Sequence, residues 1–394
     1  MAKSAIFSTG FIDLTNNGVD YHEDEALIIE DGHIIGFDKR SNLADDTNVI
    51  DYSGYFCLPG LIDTAFLPGL IVSEDGARPQ SFGESAWQAI QAAKTWLMSG
   101  VTSAASMGAV DNLDIDLLRS INDRRFKGSR IYPALTPLAP VGASNFHTLY
   151  GVREVSGAED ARRTVRELIK NGAERVVIYA DVPLEFHTDP HETSRHRLVF
   201  STDELSEMVA QAKQAGCFVH AQAISTAAIE NCIQAGVRSI GCAFGLKETH
   251  LPALAEKRIA LAPNFALGAT ISEKGIAAGF SEGVISMVSS QRITPDLLVS
   301  AHQAGVEIVC GTNTAFLAGD VVRECLELNR AGLSPADALR AATQNGAATL
   351  KPYVECGSFR SHHFADLVFV EDDPIGNLEA LNHIHNVMVE GTVQ

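Results

Sequence analysis

The sequence predicts an α/β protein: a parallel (β/α)8 TIM barrel with a small β-sandwich-like domain formed by both chain ends. Three observations predict it. Apolar strand-like runs alternate with helical segments eight times between residues 58 and 313. The stretches before and after carry alternating apolar positions and turn residues with no helical period. The length, 394 residues, suits one large unit and an accessory one. The predicted boundaries are 1–57 with 358–394 for the β-domain and 58–357 for the barrel.

Residues 1–57 read as short strands broken at Asn17-Gly18 and Asp31-Gly32, pairs that favour tight hairpins because both members tolerate a positive φ. Strand one of the barrel is predicted at 58–66. The other seven each follow a helix: 102–108 after 84–100, 130–138 after 113–128, 175–182 after 159–173, 217–223 after 203–216, 238–244 after 225–237, 258–264 after 248–257, and 306–313 after 294–305. Several of these helices stop at a glycine, the usual C-terminal break. An open doubly wound sheet is the alternative. Against it, no Gly-x-Gly-x-x-Gly follows the first strand. Residues 333–350 read as an amphipathic helix, and 363–374 and 385–394 as strands that return to the N-terminal ones.

Lys and Arg number 30 against 49 Asp and Glu, a balance of 30 − 49 = −19. No run of five basic residues interrupts that acidity, so nucleic acid is not an expected partner. No stretch of 18 apolar residues occurs, so no membrane partner is expected either. The first residues lack the apolar run of a secretory signal. Seven cysteines, an odd number without Cys-x-x-Cys spacing, fit reduced thiols and a cytoplasmic setting.

Several motifs resemble one family. Gly54-Tyr55-Phe56-Cys57-Leu58-Pro59-Gly60-Leu61-Ile62-Asp63 resembles the first barrel strand of the amidohydrolase superfamily, in its imidazolonepropionase and Xaa-Pro dipeptidase branch. Gly100-Val101-Thr102-Ser103 is similar to the second strand. Ala338 to Thr343, Ala365 to Val368 and Val387 to Gly391 follow in family order. The resemblance implies one or two divalent metals at the C-terminal mouth of the barrel. It implies ligands from a His-x-His on strand one, a Lys or Glu on strand four, a His on strands five and six and an Asp on strand eight.

Here that pattern is mostly absent. Ala65 and Leu67 hold the His-x-His positions, Val177 the strand-four position, Gly241-Cys242 the Glu-His pair, and Asn313 the Asp position. His220 alone is kept. A catalytic metal needs three or more protein donors, so neither metal nor other cofactor is expected. A single-ion site built from His220, Cys242 and a third group is the alternative.

The expected catalytic residues at the mouth are His220, Cys242, Asn313 and Asp63. A neutral imidazole beside Cys242 can draw off the thiol proton and create a nucleophile. Asn313 can donate to a developing oxyanion. Asp63 can act as acid or base, or hold a strand end; Cys242 can equally be a small buried core residue. Tyr179, Gln222 and His147 are expected to bind substrate, with Asp181 near them; His147 lies close to Ala143, which stands where relatives carry a loop histidine. A His-bearing loop with His187, His191 and His196 reads as a solvated loop or lid.

Three functions fit. The first is a metal-independent enzyme acting on a small carbonyl- or amide-containing molecule, by C–N hydrolysis or by acid–base isomerisation or elimination. The second is a catalytically silent paralogue that binds a ligand or a partner. The third is a metal hydrolase with displaced ligands such as His147, His187 and His191. A homo-oligomer is what the resemblance implies.

Overall fold

The structure is a computed structural model. It describes residues 3–15, 18–69, 72–73, 76–77, 81–142, 151–181, 199–275, 282, 285–286, 288, 293–313 and 320–394. The chain opens with β1 (Lys3–Thr15), β2 (Gly18–His22), β3 (Glu25–Glu30), β4 (His33–Lys39) and β5 (Asn48–Pro59). β3 and β4 form the hairpin expected at Asp31-Gly32, where both residues take positive φ, 49° and 80°. β1 pairs antiparallel with β2 and β3 and parallel with β5.

A mixed α/β region follows. β6 (Leu61–Phe66) leads to a short hairpin, β7 (Val72–Ser73) with β8 (Gly76–Ala77), then α1 (Phe82–Met98) and β9 (Val101–Ser106). Next come α2 (Leu113–Asn122), β10 (Arg130–Tyr132), β11 (Leu138–Pro140), β12 (Arg153–Val155), α3 (Ala158–Lys170) and β13 (Arg175–Tyr179). α4 (Thr202–Gln214), β14 (Phe218–Ala223), α5 (Thr226–Ala235), β15 (Ser239–Cys242), α6 (Leu251–Glu256) and β16 (Ala260–Ala262) continue the alternation. α7 (Phe265–Lys274) and α8 (Pro295–Gln303) complete it. Local chemistry sets the ends. Ser81 with Glu84, and Ser201 with Glu204, form reciprocal capping boxes at the starts of α1 and α4. Gly236 closes α5 in the left-handed conformation.

The parallel strands fall into two sheets, β10-β9-β6 and β12-β11-β13-β14-β15-β16. Individual backbone bonds join them. Glu174 N donates to Pro133 O at 2.9 Å. Residues 306–313, expected as a strand, form no ladder but bond to both neighbours. Leu261 N donates to Glu307 O at 2.8 Å, and Thr64 N to Cys310 O at 3.0 Å. The run expected at 130–138 is broken in the middle for a clear reason. The buried Asp114 carboxylate takes the N–H groups of Ala134 (2.8 Å) and Leu135 (2.9 Å), which removes them from any ladder.

Alternation decides what each strand side chain meets. Val176, Ile178 and Ala180 join the large core shared with the helices. Val177 and Tyr179 face the other way, into a smaller cluster with Ala65, Leu67, Met107 and Ala139.

The chain ends with α9 (Asp320–Arg330), α10 (Pro335–Ala341), α11 (Gln344–Leu350), β17 (Leu367–Val370), β18 (Ile384–Val389) and β19 (Thr392–Val393). The last three strands return to the first five. The sheet order is β19-β18-β17-β5-β1-β3-β4, with β2 also on β1. Its core includes Ile6, Phe11, Leu27, Ile34, Leu367, Phe369 and Met388.

Candidate active site

The polar groups gather along β14 and β15 and beyond their C-terminal ends. In a parallel ladder, residues paired across strands share a face. Val177 pairs with His220 and His220 with Ser239; Tyr179 pairs with Gln222 and Gln222 with Gly241. His220, Gln222, Ser239 and Gly241 therefore face the same interior as Val177 and Tyr179.

His220 is 2% exposed. Its Nδ1 lies 2.5 Å from Ser239 Oγ, and its Nε2 has no hydrogen-bond partner among the described residues. Burial first, and then the Arg175 guanidinium, hold its pKa well below the ordinary imidazole value. That environment favours the neutral ring. Gln222 is 4% exposed, and among the described residues both its amide nitrogen and its amide oxygen lack a partner. The amide lies across Gly241, where a Cβ would come within 2.8 Å of Gln222 Nε2. Arg175 is also fully buried, and its pKa is brought down to about 10 by that burial. It donates to Thr64 O at 3.0 Å, while its Nε finds no acceptor among the described residues.

The expected pair of His220 and Cys242 is not joined by a hydrogen bond. The register explains this. Cys242 pairs with Ala223, and the neighbour of His220 is Ser239, three residues earlier on the strand. Three residues of strand span about 10 Å. Cys242 is buried with Ile224, Leu267 and Ile271, and its sulfur accepts from Asn313 Nδ2 at 3.6 Å.

Strand ends here depart from extended backbone. Cys242, Ala243, Asn264 and Asn313 have φ of 62°, 50°, 55° and 48°, a conformation uncommon for residues other than glycine. Asn264 stitches them: its Oδ1 accepts from Cys242 N at 2.7 Å and its Nδ2 donates to Gly311 O. Buried carboxylates fix the surrounding turns. Asp181 takes the N–H groups of Ile224 (2.9 Å) and Ser225 (2.6 Å), and Glu324 takes those of Phe265 and Ala266.

Asp63 is the most heavily engaged of the predicted residues. Its Oδ1 accepts from Ala65 N (2.9 Å) and Thr312 N (3.0 Å). Its Oδ2 accepts from Trp96 Nε1 (2.8 Å) and Thr312 Oγ1 (2.7 Å). It ties β6 to α1 and to residues 306–313. Tyr179 is 4% exposed beside Ala65 and Leu67. His147, Ala143 and the loop with His187, His191 and His196 lie outside the described residues. Ser239, Asn264, Arg175 and Glu324 were not singled out by sequence. No local sequence signal marks Ser239, whose place beside His220 is set by strand register.

The residues present do not fit the metal site that the resemblance implies. Ala65, Leu67 and Val177 have no side-chain lone pair, and they pack together in one apolar cluster. Asn313 spends its amide on Cys242. Among the described residues, no group of three or more His, Cys, Asp or Glu side chains is arranged to hold an ion. No described helix is long and apolar enough to cross a membrane.

Residues 57–393 match the model of the amidohydrolase family. Ochratoxinase from Aspergillus niger is 24% identical over 335 residues, a match that covers 78% of this chain and 65% of that enzyme. The chain thus spans just under two thirds of that curated relative. A crystal structure of a Xaa-Pro dipeptidase with methionine in its active site superposes with a TM-score of 0.88 at 24% identity, over 100% of both chains. The A. niger ochratoxinase structure gives 0.83 at 19% identity, over 100% of this chain and 96% of that one. Phenylurea hydrolase B gives 0.82 at 16%, over 100% and 97%. The mixed α/β fold is theirs.

Proposed function

The chain belongs to the amidohydrolase family, and from that premise we propose that it hydrolyses an amide-type C–N bond of a small molecule without the family's divalent metal. The carrying observation is the polar surface of β14 that has no partner among the described residues: His220 Nε2 and both amide atoms of Gln222. Native interiors leave few polar groups unpaired. A ligand that hydrogen-bonds to these atoms is a physical reason for keeping them. Tyr179 and Leu67 give that ligand an apolar wall. Metal independence rests on Ala65, Leu67 and Val177, which offer a cation nothing to bind.

The two parallel sheets and residues 306–313 are read as one closed barrel, supported by the backbone bonds at each seam. The barrel domain is 58–357, and the chain-end sheet is the domain of 1–57 and 358–394. The bonding of His220 to Ser239 supports water, and not a Cys242 thiolate, as the attacking group. Asp63 serves as a tie between strands, since each of its oxygens already accepts two hydrogen bonds. Asn313 holds the end of the strand-eight segment against Cys242. Seven buried cysteines, an odd number, support a cytoplasmic setting. Homo-oligomer formation is carried over from the resemblance, and size-exclusion chromatography tests it.

The second reading, a silent ligand-binding paralogue, is favoured by one observation: an apolar cluster occupies positions where the family's ligands would be. One experiment separates the readings. The full-length protein, stripped with chelator and checked for metal content, is incubated with an Xaa-Pro dipeptide, ochratoxin, a phenylurea and simple aryl amides. The expected result is cleavage of at least one compound at a rate unchanged by chelation and abolished by His220→Gln. Cleavage that requires added zinc or manganese overturns metal independence. Binding without cleavage across the panel selects the silent paralogue.

A further inference from the structure

We infer that Ser239 fixes His220 as a neutral imidazole with its hydrogen on Nε2, so that His220 meets the substrate as a hydrogen-bond donor to a carbonyl oxygen. This rests on the amide-hydrolase reading and deepens it. The argument is a count of hydrogens. One hydrogen lies between His220 Nδ1 and Ser239 Oγ, which are 2.5 Å apart. Ser239 is 1% exposed, and this is its one side-chain hydrogen bond among the described residues.

Two arrangements are available to a neutral ring. In the first, Nδ1 carries the hydrogen and donates it to Ser239. The serine's own hydrogen is then buried without an acceptor, a loss of about 1–3 kcal/mol. In the second, the serine hydroxyl donates to the Nδ1 lone pair. Both atoms are then satisfied, and the ring hydrogen is on Nε2. A ring protonated at both nitrogens would place a charge in an apolar interior that already holds the Arg175 cation, and burial opposes it. The second arrangement leaves the fewest unmet groups.

Gln222 completes the feature. It stands two residues further along β14 on the same face, and its Nε2 also lacks an acceptor among the described residues. Gly241 makes room for that amide. Two N–H donors thus face one interior, and a carbonyl oxygen has two lone pairs to receive them. As water adds to the carbonyl carbon, the C=O electron pair moves onto the oxygen, and both bonds strengthen without any reorganisation of the protein; the water's proton passes to the amide nitrogen, and the C–N bond then breaks to release the amine. His220 keeps its proton throughout. Ser239 is a positioning residue, acting through His220.

The test is the two-bond proton–nitrogen correlation of the histidine rings in the 15N-labelled full-length protein, with His220 assigned by its loss in His220→Gln. The expected pattern is Nε2 protonated and Nδ1 bare, unchanged between pH 8 and 6. Ser239→Ala should convert it to a mixture of the two tautomers, and Ser239→Thr, which keeps the hydroxyl, should restore it. A hydrogen on Nδ1, or on both nitrogens at pH 7, in the parent protein overturns the inference. So does a pattern untouched by Ser239→Ala. If a substrate is found, Ser239→Ala should lower kcat about tenfold or more with little change in KM, and Ser239→Thr should recover most of it. An Nε2-protonated ring in a protein that cleaves nothing keeps this inference and defeats the hydrolase reading.

Discussion

Asp63→Ala should destabilise the fold by several kcal/mol. Four donors converge on this carboxylate: Ala65 N, Thr312 N, Trp96 Nε1 and Thr312 Oγ1. Alanine removes every acceptor. The Thr312 hydroxyl can turn to a new partner, but the three N–H groups are fixed by backbone or ring. Each buried donor left unmet costs about 1–3 kcal/mol. Water entering the vacated volume, and the recovered cost of burying the carboxylate, reduce that sum. The net expectation is about 3–5 kcal/mol, a large part of the 5–15 kcal/mol typical of a folded domain. Asp63→Asn should cost less, about 1–3 kcal/mol. Its oxygen can still serve Ala65 and Thr312, while its NH2 faces the Trp96 N–H. Urea unfolding followed by tryptophan fluorescence measures both variants. Trp96 is 3% exposed and Trp87 65%, so the emission change reports chiefly on Trp96 beside the substitution. An alanine variant within about 1 kcal/mol of the parent would refute the reasoning.

Three more outcomes follow from the same geometry. Gly241→Ala puts a Cβ 2.8 Å from Gln222 Nε2 and 3.0 Å from its Oε1. The amide can swing aside, so thermal stability should fall by no more than about 1–3 kcal/mol while kcat/KM drops. An unchanged kcat/KM would show that Gln222 does not contact the substrate. His220 has a folded pKa below its unfolded one. As pH falls below about 6.5 the unfolded chain gains a proton that the folded chain refuses, and stability should decline by up to about 1.4 kcal/mol per pH unit. His363 acts in the same direction, so the comparison is between parent and His220→Gln. The variant should show a shallower decline between pH 6.5 and 5, and equal slopes would contradict a neutral buried His220. Finally, all seven cysteines are buried. Iodoacetamide should label them slowly in the native protein and all seven in denaturant. Rapid native labelling of Cys242 would revive the thiol nucleophile.

The strand–helix alternation was legible because each apolar run and each glycine stop is local chemistry. So was the hairpin at Asp31-Gly32. Strand register was not. Nothing local says that His220 lies opposite Ser239 and not Cys242, because register is set by how neighbouring strands pack. The break after Tyr132 was equally hidden, since its cause is the carboxylate of Asp114, which arrives from a preceding helix. His220 and Gln222 could be singled out from their type and their shared strand face. That their outward atoms lack partners is a property of the assembled interior.

The sheet built from both chain ends has a consequence for synthesis. Leu58 waits for Val368, its partner in β17. At about 5–20 residues per second, the intervening stretch of roughly 300 residues takes about 15–60 s to emerge from the ribosome. Through that interval Phe56, Cys57 and Leu58 offer a bare apolar edge to any other nascent strand. The sheet that begins first thus gains β17 to β19 only late, and a chaperone that shields the β5 edge should raise the yield more than one that acts after release.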